Sequence, residues 1–263
     1  MPEGDTVWLV ARHLHSCLAG QSLVRSDFRV PQLATLDLSG QHVLDVTATG
    51  KHLLARLDTG MTLHTHLGME GAWHLYRPGH RWSGGPEHEV RVVLATGSWT
   101  AVGYRLRVVE LAPTADEHLA VGHLGPDLLA EDFDVTEAVR RLRAAGDRPI
   151  GEALLDQRSL AGIGNLYRAE LLFLSGISPW RPVADVPDLE GLVGRARRLL
   201  RANAARAAQV TTGDTRPGRR TWVYGRARQP CRRCGTAVRA AEQGAAPHAR
   251  VSYWCPTCPT CQP

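Results

Sequence analysis

This sequence has almost no lysine. Its 263 residues include 30 arginines and one lysine, Lys51, set in the strand-like run Thr49-Gly50-Lys51-His52-Leu53-Leu54. Where positive charge alone is wanted the chain uses guanidinium, so a single ammonium reads as a compact, titratable point charge. The alternative is chance survival in an arginine-biased composition. Long apolar runs are missing too. No stretch approaches about 18 uninterrupted apolar residues, which excludes a membrane-spanning helix. The first residues lack a basic segment followed by an apolar one, which excludes a secretory signal. A soluble, cytoplasmic protein with no membrane partner is expected. Cysteine is nearly absent from the first 230 residues, where Cys17 stands alone, so a secreted disulfide framework is excluded. No Gly-Lys-Ser/Thr follows the glycine-bearing turn at Gly162, which rules out a P-loop. No internal repeat is evident.

What is present divides the chain. Apolar residues make up 43%, enough for buried cores, and 28.7 kDa fits one large domain or two or three smaller ones. Residues 1–139 carry 10 basic and 17 acidic side chains, net −7; residues 140–263 carry 21 and 9, net +12, and together these make the overall +5. A basic half built from arginine is the footprint of a phosphate-backbone partner, against the alternative of an arginine-rich solvated surface.

Apolar positions Val7, Val10, Ala11, Leu14 and Leu18 recur at helical spacing before a stop at Gly20. From Ser22 to Leu111 the pattern is of short strands, among them Val43–Thr47, His52–Leu57 and Met61–His66, with Asp58-Thr59-Gly60 as a hairpin signal. Trp73, Trp82 and Trp99 are expected to pack a β-sandwich core. His64 and His66 share one strand face; a metal would need a third ligand that does not suggest itself, so ordinary packing is expected. Residues 113–134, with Pro113, Gly122, Gly125 and Pro126, read as a linker. Helices are expected over Val135–Ala145, Gly151–Gln157, Tyr167–Ser175 and Leu189–Gln209, and Thr211–Arg220 reads as a mobile loop.

The last 33 residues hold five of the six cysteines. Cys231-x₂-Cys234, then twenty residues, then Cys255-x₂-Cys258 is the spacing of a structural four-cysteine zinc site, in which both knuckles converge on one tetrahedral ion. A domain of about 40 residues has too little core to fold without such a staple. Redox dithiols are the alternative. Cys261 makes a second possible pair with Cys258 and is taken as a spare, because Tyr253-Trp254-Cys255 reads as a strand feeding the knuckle; Cys17 is expected in the core. On a zinc-held hairpin Arg250 would be rigidly presented for bidentate phosphate contact.

Two further features carry chemistry. Gly162-Ile163-Gly164-Asn165 is a turn into a helix, where exposed backbone N–H groups and the Asn165 amide form an anion site; a plain helix connection is the alternative. At the front of the chain, removal of Met1 would expose Pro2 as a secondary amine. Attack of that amine on an aldehyde gives a cationic iminium, with Glu3 next door to shuttle protons and a cation such as Lys51 favouring the neutral amine. A frayed start before a helix is the alternative.

The Pro2-Glu3-Gly4 start, the Gly50-Lys51 strand, the run from Leu155 through Gly162-Ile163-Gly164-Asn165 to Tyr167, Val223-Tyr224-Gly225-Arg226 and the finger ending Arg250-Val251-Ser252-Tyr253-Trp254-Cys255-Pro256-Thr257-Cys258 belong together. In combination they resemble the formamidopyrimidine-DNA glycosylase/endonuclease VIII family of bifunctional base-excision enzymes, over essentially the whole length. Pro-Glu-Gly rather than Pro-Glu-Leu points to the endonuclease VIII branch, which acts on oxidised pyrimidines. The resemblance implies an α+β multidomain fold. An N-terminal helix plus β-sandwich (1–112) would carry the chemistry, followed by a linker (113–134), a helix–two-turn–helix DNA-binding domain (135–221) and a C-terminal zinc-finger β-hairpin (222–263), with damaged DNA clamped between the halves.

The resemblance also implies roles by position. Pro2 matches the Schiff-base nucleophile at the sugar C1′, Glu3 the residue that protonates the opening deoxyribose, and Lys51 the catalytic lysine that contacts phosphate. Asn165 and Arg250 match the pair that grips the kinked backbone around the lesion, Arg250 counting among the catalytic as well as the DNA-binding residues. Met69 matches the wedge that fills the gap left by an everted base, a place in the core being its alternative. Cys231, Cys234, Cys255 and Cys258 would hold one structural zinc ion.

Two departures bear on specificity. Endonuclease VIII enzymes usually continue Pro-Glu-Gly-Pro-Glu, whereas here Asp5-Thr6 follow, leaving the second glutamate's role unfilled or passed to Asp5. No Asp-Pro-Arg-Arg-Phe-Gly segment stands near residues 100–110, where the 8-oxoguanine branch keeps two more intercalating residues; Gly103-Tyr104-Arg105 is nearby instead. Weak action on 8-oxoguanine opposite cytosine and tolerance of single-stranded or bubble DNA are therefore expected. The expected course is eversion of the damaged pyrimidine, attack by Pro2 with loss of the base, then β- and δ-elimination leaving a one-nucleotide gap. A monomer in the cytoplasm, nucleoid-associated in a prokaryote, would carry it out. The rival is a non-catalytic zinc-finger DNA-binding protein on the same scaffold.

Overall fold

A computed structural model describes residues 2–246 and 249–258; Met1, whose removal is expected, and Cys261, expected as a spare, lie outside the described residues. The chain forms two units that meet in sequence between His123 and Leu124. In the first, helix α1 (Gly4–Leu18) forms because Val7, Ala11, Leu14 and Leu18 fall on one stripe, and all four are buried, with Cys17 beside them. The chain leaves it through Gly20 at φ +71°, a conformation that side-chain-bearing residues disfavour.

Two four-stranded antiparallel sheets follow. One has the order β1 (Arg25–Phe28), β6 (Val90–Ala95), β7 (Thr100–Tyr104), β5 (Ala72–Tyr76); the other has β2 (Val43–Thr49), β3 (His52–Leu57), β4 (Met61–His66), β8 (Val108–Pro113). Alternation decides which side chains turn inward. Leu53, Ala55, Leu57, Leu63 and Val109 from the second sheet share a core with Val92, Leu94 and Ala101 from the first and with the stripe of α1. Trp73 and Trp99 pack at the margin of that core, and Trp82 against a smaller cluster of Val90, Val93, Val102 and Tyr104.

The other face of the β2–β3–β4–β8 sheet is polar. Arg56 donates to both oxygens of Glu117 at 2.7 Å and to Asp45 at 2.9 Å, and Thr62 donates to Glu117 at 2.6 Å. Glu117 opens helix α2 (Glu117–Val121), which follows a 3-10 turn at Thr114–Asp116. The stretch read as a linker thus contains a helix tied to the sheet by a half-buried ion pair, which its breaker residues concealed.

The second unit has helices α3 (Val135–Arg143), α4 (Ile150–Ala153), α5 (Asn165–Ser175) and α6 (Leu189–Asn203), whose core includes Leu128, Leu142, Ile150, Tyr167, Leu171 and Leu200. Asp134 starts α3 by accepting from the Glu137 N–H at 2.9 Å, and Gly176 ends α5 at φ +65°. Helix α4 is a single turn and does not run to Gln157. The Gln157 side chain instead builds the next turn, donating to the Ile163 carbonyl at 2.9 Å and accepting from the Gly162 N–H at 3.1 Å. Helix α6 stops short of the expected Gln209 because the Asn203 amide donates to the Val210 carbonyl at 3.0 Å and accepts from its N–H at 2.7 Å, folding the chain back. The Thr211–Arg220 loop closes through the Thr211 N–H to the Arg220 carbonyl at 2.8 Å, and Asp214 pairs with Arg216 at 2.6 Å. A hairpin of β9 (Arg239–Gln243) and β10 (Arg250–Trp254) completes the unit. Among the described residues no helix is long and apolar enough to cross a membrane.

Candidate active site and cysteine cluster

Pro2 is half-buried, and Glu3, at the N-cap of α1, has 0% exposure; Asp5, in the first turn, has 1%. The Glu3 side chain does not cap the helix. Burying a carboxyl costs free energy unless its surroundings hold it, so two at one helix start mark a built environment.

Lys51 does not lie within a strand. Thr49 pairs with His52, so Gly50-Lys51 is a two-residue hairpin turn, with Gly50 at φ +59° and Lys51 outside the left-handed region, as a type II′ turn requires. Strand β2 runs against α1 in the opposite direction: the Gly20 N–H donates to the Val43 carbonyl at 2.8 Å and the Val46 N–H to His15 Nδ1 at 3.2 Å. From Val46 to Gly50 the strand advances about 13 Å, and the helix from His15 back to Thr6 covers about the same, at roughly 3.3 and 1.5 Å per residue. The Lys51 turn and the Pro2-Glu3 start therefore lie at the same end of this unit.

The polar sheet face continues to that end as a histidine cluster. The His52 and His64 rings stack at 5.1 Å with Nδ1 of the first 2.8 Å from Nε2 of the second, while His66 and His123 stand edge-on to His52 at 5.0 and 6.1 Å. His64 Nδ1 lies 3.3 Å from Glu110 Oε2. Burial, followed by the charge of His66, His64, His123 and Lys51, pulls His52 down to about 3; burial, then Lys51, His64 and Arg107, pulls His66 to about 4. His64 and His66 pack against His52 of the adjacent strand, and this packing is polar. The 2.8 Å separation is that of a hydrogen bond, and among the described residues only the four cysteines gather as a metal-binding group.

Met69 follows β4 in a tight turn. The Gly71 N–H donates to the Leu67 carbonyl at 2.9 Å, and a Cβ on Gly71 would sit 2.2 Å from that oxygen. Met69, at the tip, is 67% exposed and is no core residue. Arg105, left-handed at φ +48°, braces the turn by donating to the Glu70 carbonyl at 3.2 Å while paired with Glu89.

In the second unit Asn165 begins α5, after Gly162 at φ +103°. One amide N–H of Asn165 donates to the Val251 carbonyl at 3.0 Å, and Arg168 Nη2 donates to the same oxygen at 2.9 Å. Val251 follows the exposed Arg250, so Asn165 and Arg250 come together on one joint. Glu170, fully buried, accepts from the N–H groups of Trp222, Val223 and Tyr224 at 2.7, 2.8 and 2.8 Å and from the Thr211 hydroxyl. Arg168 and Glu170 were missed in the sequence, although two charges inside Leu166-Tyr167-Arg168-Ala169-Glu170-Leu171-Leu172 are the signal that finds them.

The sulfurs of Cys231, Cys234, Cys255 and Cys258 all lie within 4.8 Å of one another, with separations of 3.4 Å (Cys234–Cys255) and 3.6 Å (Cys231–Cys258, Cys234–Cys258). A tetrahedral ion with metal–sulfur bonds of about 2.3 Å sets its sulfurs about 3.8 Å apart, whereas a disulfide needs about 2.05 Å. The four thiols therefore fit a metal ion and do not form disulfides. The hairpin register Trp254↔Arg239 joins the two knuckles at one end, and Arg250↔Gln243 places Arg250 at the other.

Residues 1–109 match the formamidopyrimidine-DNA glycosylase N-terminal domain, and residues 124–212 match the formamidopyrimidine-DNA glycosylase H2TH domain. A Streptomyces coelicolor protein named "Probable endonuclease 8 2" is 56% identical over 260 residues, covering 98% of this chain and 94% of that one. A Mycolicibacterium smegmatis protein named "DNA-(apurinic or apyrimidinic site) lyase Nei2" is 46% identical, covering 99% of each chain. In fold, the crystal structure of Lactococcus lactis formamidopyrimidine DNA glycosylase bound non-covalently to DNA containing an AP site matches with a TM-score of 0.80, covering 98% of this chain and 99% of that one at 22% identity. With such relatives along nearly its full length, this chain belongs to the formamidopyrimidine-DNA glycosylase/endonuclease VIII family, on its endonuclease VIII-like branch.

Proposed function

We propose that this protein is a DNA glycosylase/AP lyase of base excision repair that removes oxidised pyrimidines through a Schiff base on Pro2. The observation that carries the reading is the shared end of the first unit, where Pro2 and the buried Glu3 lie level with the turn bearing the chain's single lysine.

Freed of Met1, the Pro2 nitrogen attacks C1′ of the damaged nucleotide, the base leaves, and Glu3 delivers a proton to O4′ as the deoxyribose opens. The resulting iminium draws electrons from C2′. Loss of a C2′ proton then expels the 3′ phosphate, and a second elimination expels the 5′ phosphate. Asp5, buried in the same helix turn, takes the place of the second glutamate. Lys51 meets a phosphate as a point charge, which a turn presents better than a strand interior. Asn165, which holds the Val251 carbonyl, and Arg250, the residue before it, grip the phosphates on either side of the lesion. Met69 fills the emptied stack. Cys231, Cys234, Cys255 and Cys258 would hold one zinc ion. Bound there, it would supply a cross-link between four thiolates and so fix the hairpin carrying Arg250.

We further infer a cytoplasmic monomer that accepts bubble and single-stranded substrates. Equal or better excision from a bubble than from a duplex supports this, and a strong duplex preference overturns it. Borohydride trapping tests the core step. Protein whose intact mass shows loss of Met1 should form a covalent adduct with DNA bearing an oxidised pyrimidine, and Pro2→Gly should lose it. An undiminished adduct from Pro2→Gly, or none from the processed protein, overturns the proposal.

A further inference from the structure

The histidine cluster is not needed to build the sheet, since the sandwich core on the opposite face already does so. Its geometry has a direction. The Glu110 carboxylate, on a side chain 62% exposed, can only accept, so His64 donates to it from Nδ1. A neutral His64 then has a lone pair on Nε2, and His52, 2.8 Å away, donates to it from Nδ1. His52 is left with its lone pair on Nε2, on the residue that follows Lys51. The tautomers are thereby fixed from the solvent side inward.

We propose that His52, His64 and Glu110 form a proton relay that drains protons from the Lys51 turn to solvent, an inference that rests on the lyase reading above. A proton taken up at His52 Nε2 releases the Nδ1 proton of His52 to His64 Nε2. His64 then releases its own Nδ1 proton to the Glu110 carboxylate, which yields it to water. One proton enters and one leaves, and only N–H and O–H bonds change. The lyase supplies the need: each elimination frees a proton from the sugar. The groups facing the relay are Lys51 on the turn, His66 on β4, His123 after α2 and Arg107 before β8. With burial they hold His52 and His66 well below the usual histidine range.

His64 and Glu110 are positioning residues here, and the test separates a relay from mere support. In His64→Gln, which keeps donor and acceptor but cannot pass a proton, single-turnover β-elimination on abasic duplex DNA at pH 7 should slow about tenfold, less than the roughly hundredfold or more typical of a group that transfers a proton directly to or from the reacting atoms. DNA affinity and the yield of borohydride-trapped adduct should stay unchanged, and added imidazole should restore the rate. Glu110→Gln, at an exposed position where folding is not at stake, should show a smaller slowing, also relieved by imidazole, and a shifted pH–rate profile. Wild-type rates and pH profiles in both variants overturn the relay while leaving the Pro2 reading intact. Slowing that imidazole does not relieve, accompanied by loss of adduct, marks support only and overturns it as well. Absence of adduct in the unaltered protein is the distinct outcome that sinks the lyase reading and the relay with it.

Discussion

The two units hold their polar groups by opposite means. In the N-terminal unit backbone geometry does the fixing: a helix start places Pro2 and Glu3, a two-residue turn places Lys51, and a glycine-tight turn places Met69. Behind them lies a face of closely packed imidazole rings. In the C-terminal unit side chains do the fixing: Glu170 gathers three backbone N–H groups, Asn165 and Arg168 converge on one carbonyl, and four thiols close the hairpin. The first arrangement places titratable rings where acid can reach their balance; the second places four thiols where a metal ion fits and relies on each partner being present.

Chelation should separate them most sharply. Binding energies of structural zinc sites run to about 10 kcal/mol and more, so metal removal at pH 7 should unfold the hairpin and weaken DNA binding by more than about a hundredfold. Limited proteolysis should then cut after residue 222 and spare residues 2–123; simultaneous loss of both units would break the comparison. Next in size, Glu170→Gln replaces an acceptor of four hydrogen bonds with a group whose amide hydrogens face backbone N–H donors. A loss of about 2–4 kcal/mol, confined to the C-terminal unit in denaturant unfolding, is expected.

Acid should act on the other unit. Unfolded histidines take up protons near pH 6.5, whereas in the fold His52 and His66 do so only near 3 and 4. Their contribution is therefore complete above pH 6.5 and drains as pH falls from there toward 4, by at most about 1.4 kcal/mol per ring per pH unit. Thermal unfolding followed from pH 7.5 to 5 should lower the Tm of the N-terminal unit more than that of the C-terminal one. The smallest effect on stability should come from Met69→Ala, within about 0.5 kcal/mol because the side chain is exposed. Excision from duplex DNA should nevertheless slow, and an unchanged excision rate would remove Met69 from the wedge role.

Local chemistry was legible and register was not. The cysteine spacing carries its own geometry, so the thiol cluster could be named from sequence, and the stripe of α1 was equally plain. Lys51 was placed in a strand because its neighbours favour one; the positive φ of Gly50 turned it into a hairpin tip. The end of α6 depends on an asparagine amide reaching Val210, which no periodicity records. His64 and His66 were seen to share a face, yet their partners His52 and Glu110 come from two other strands and meet them only once β3, β4 and β8 are in register.

The carbonyl that Asn165 and Arg168 both hold belongs to Val251, a residue that is itself 37% exposed. Every amino acid supplies a peptide oxygen, so no substitution at position 251 can delete the acceptor. The hinge pin of this joint is thus immune to missense change on the finger side and vulnerable on the helix side alone. Genetic variation should run freely through residue 251 and stop at 165 and 168.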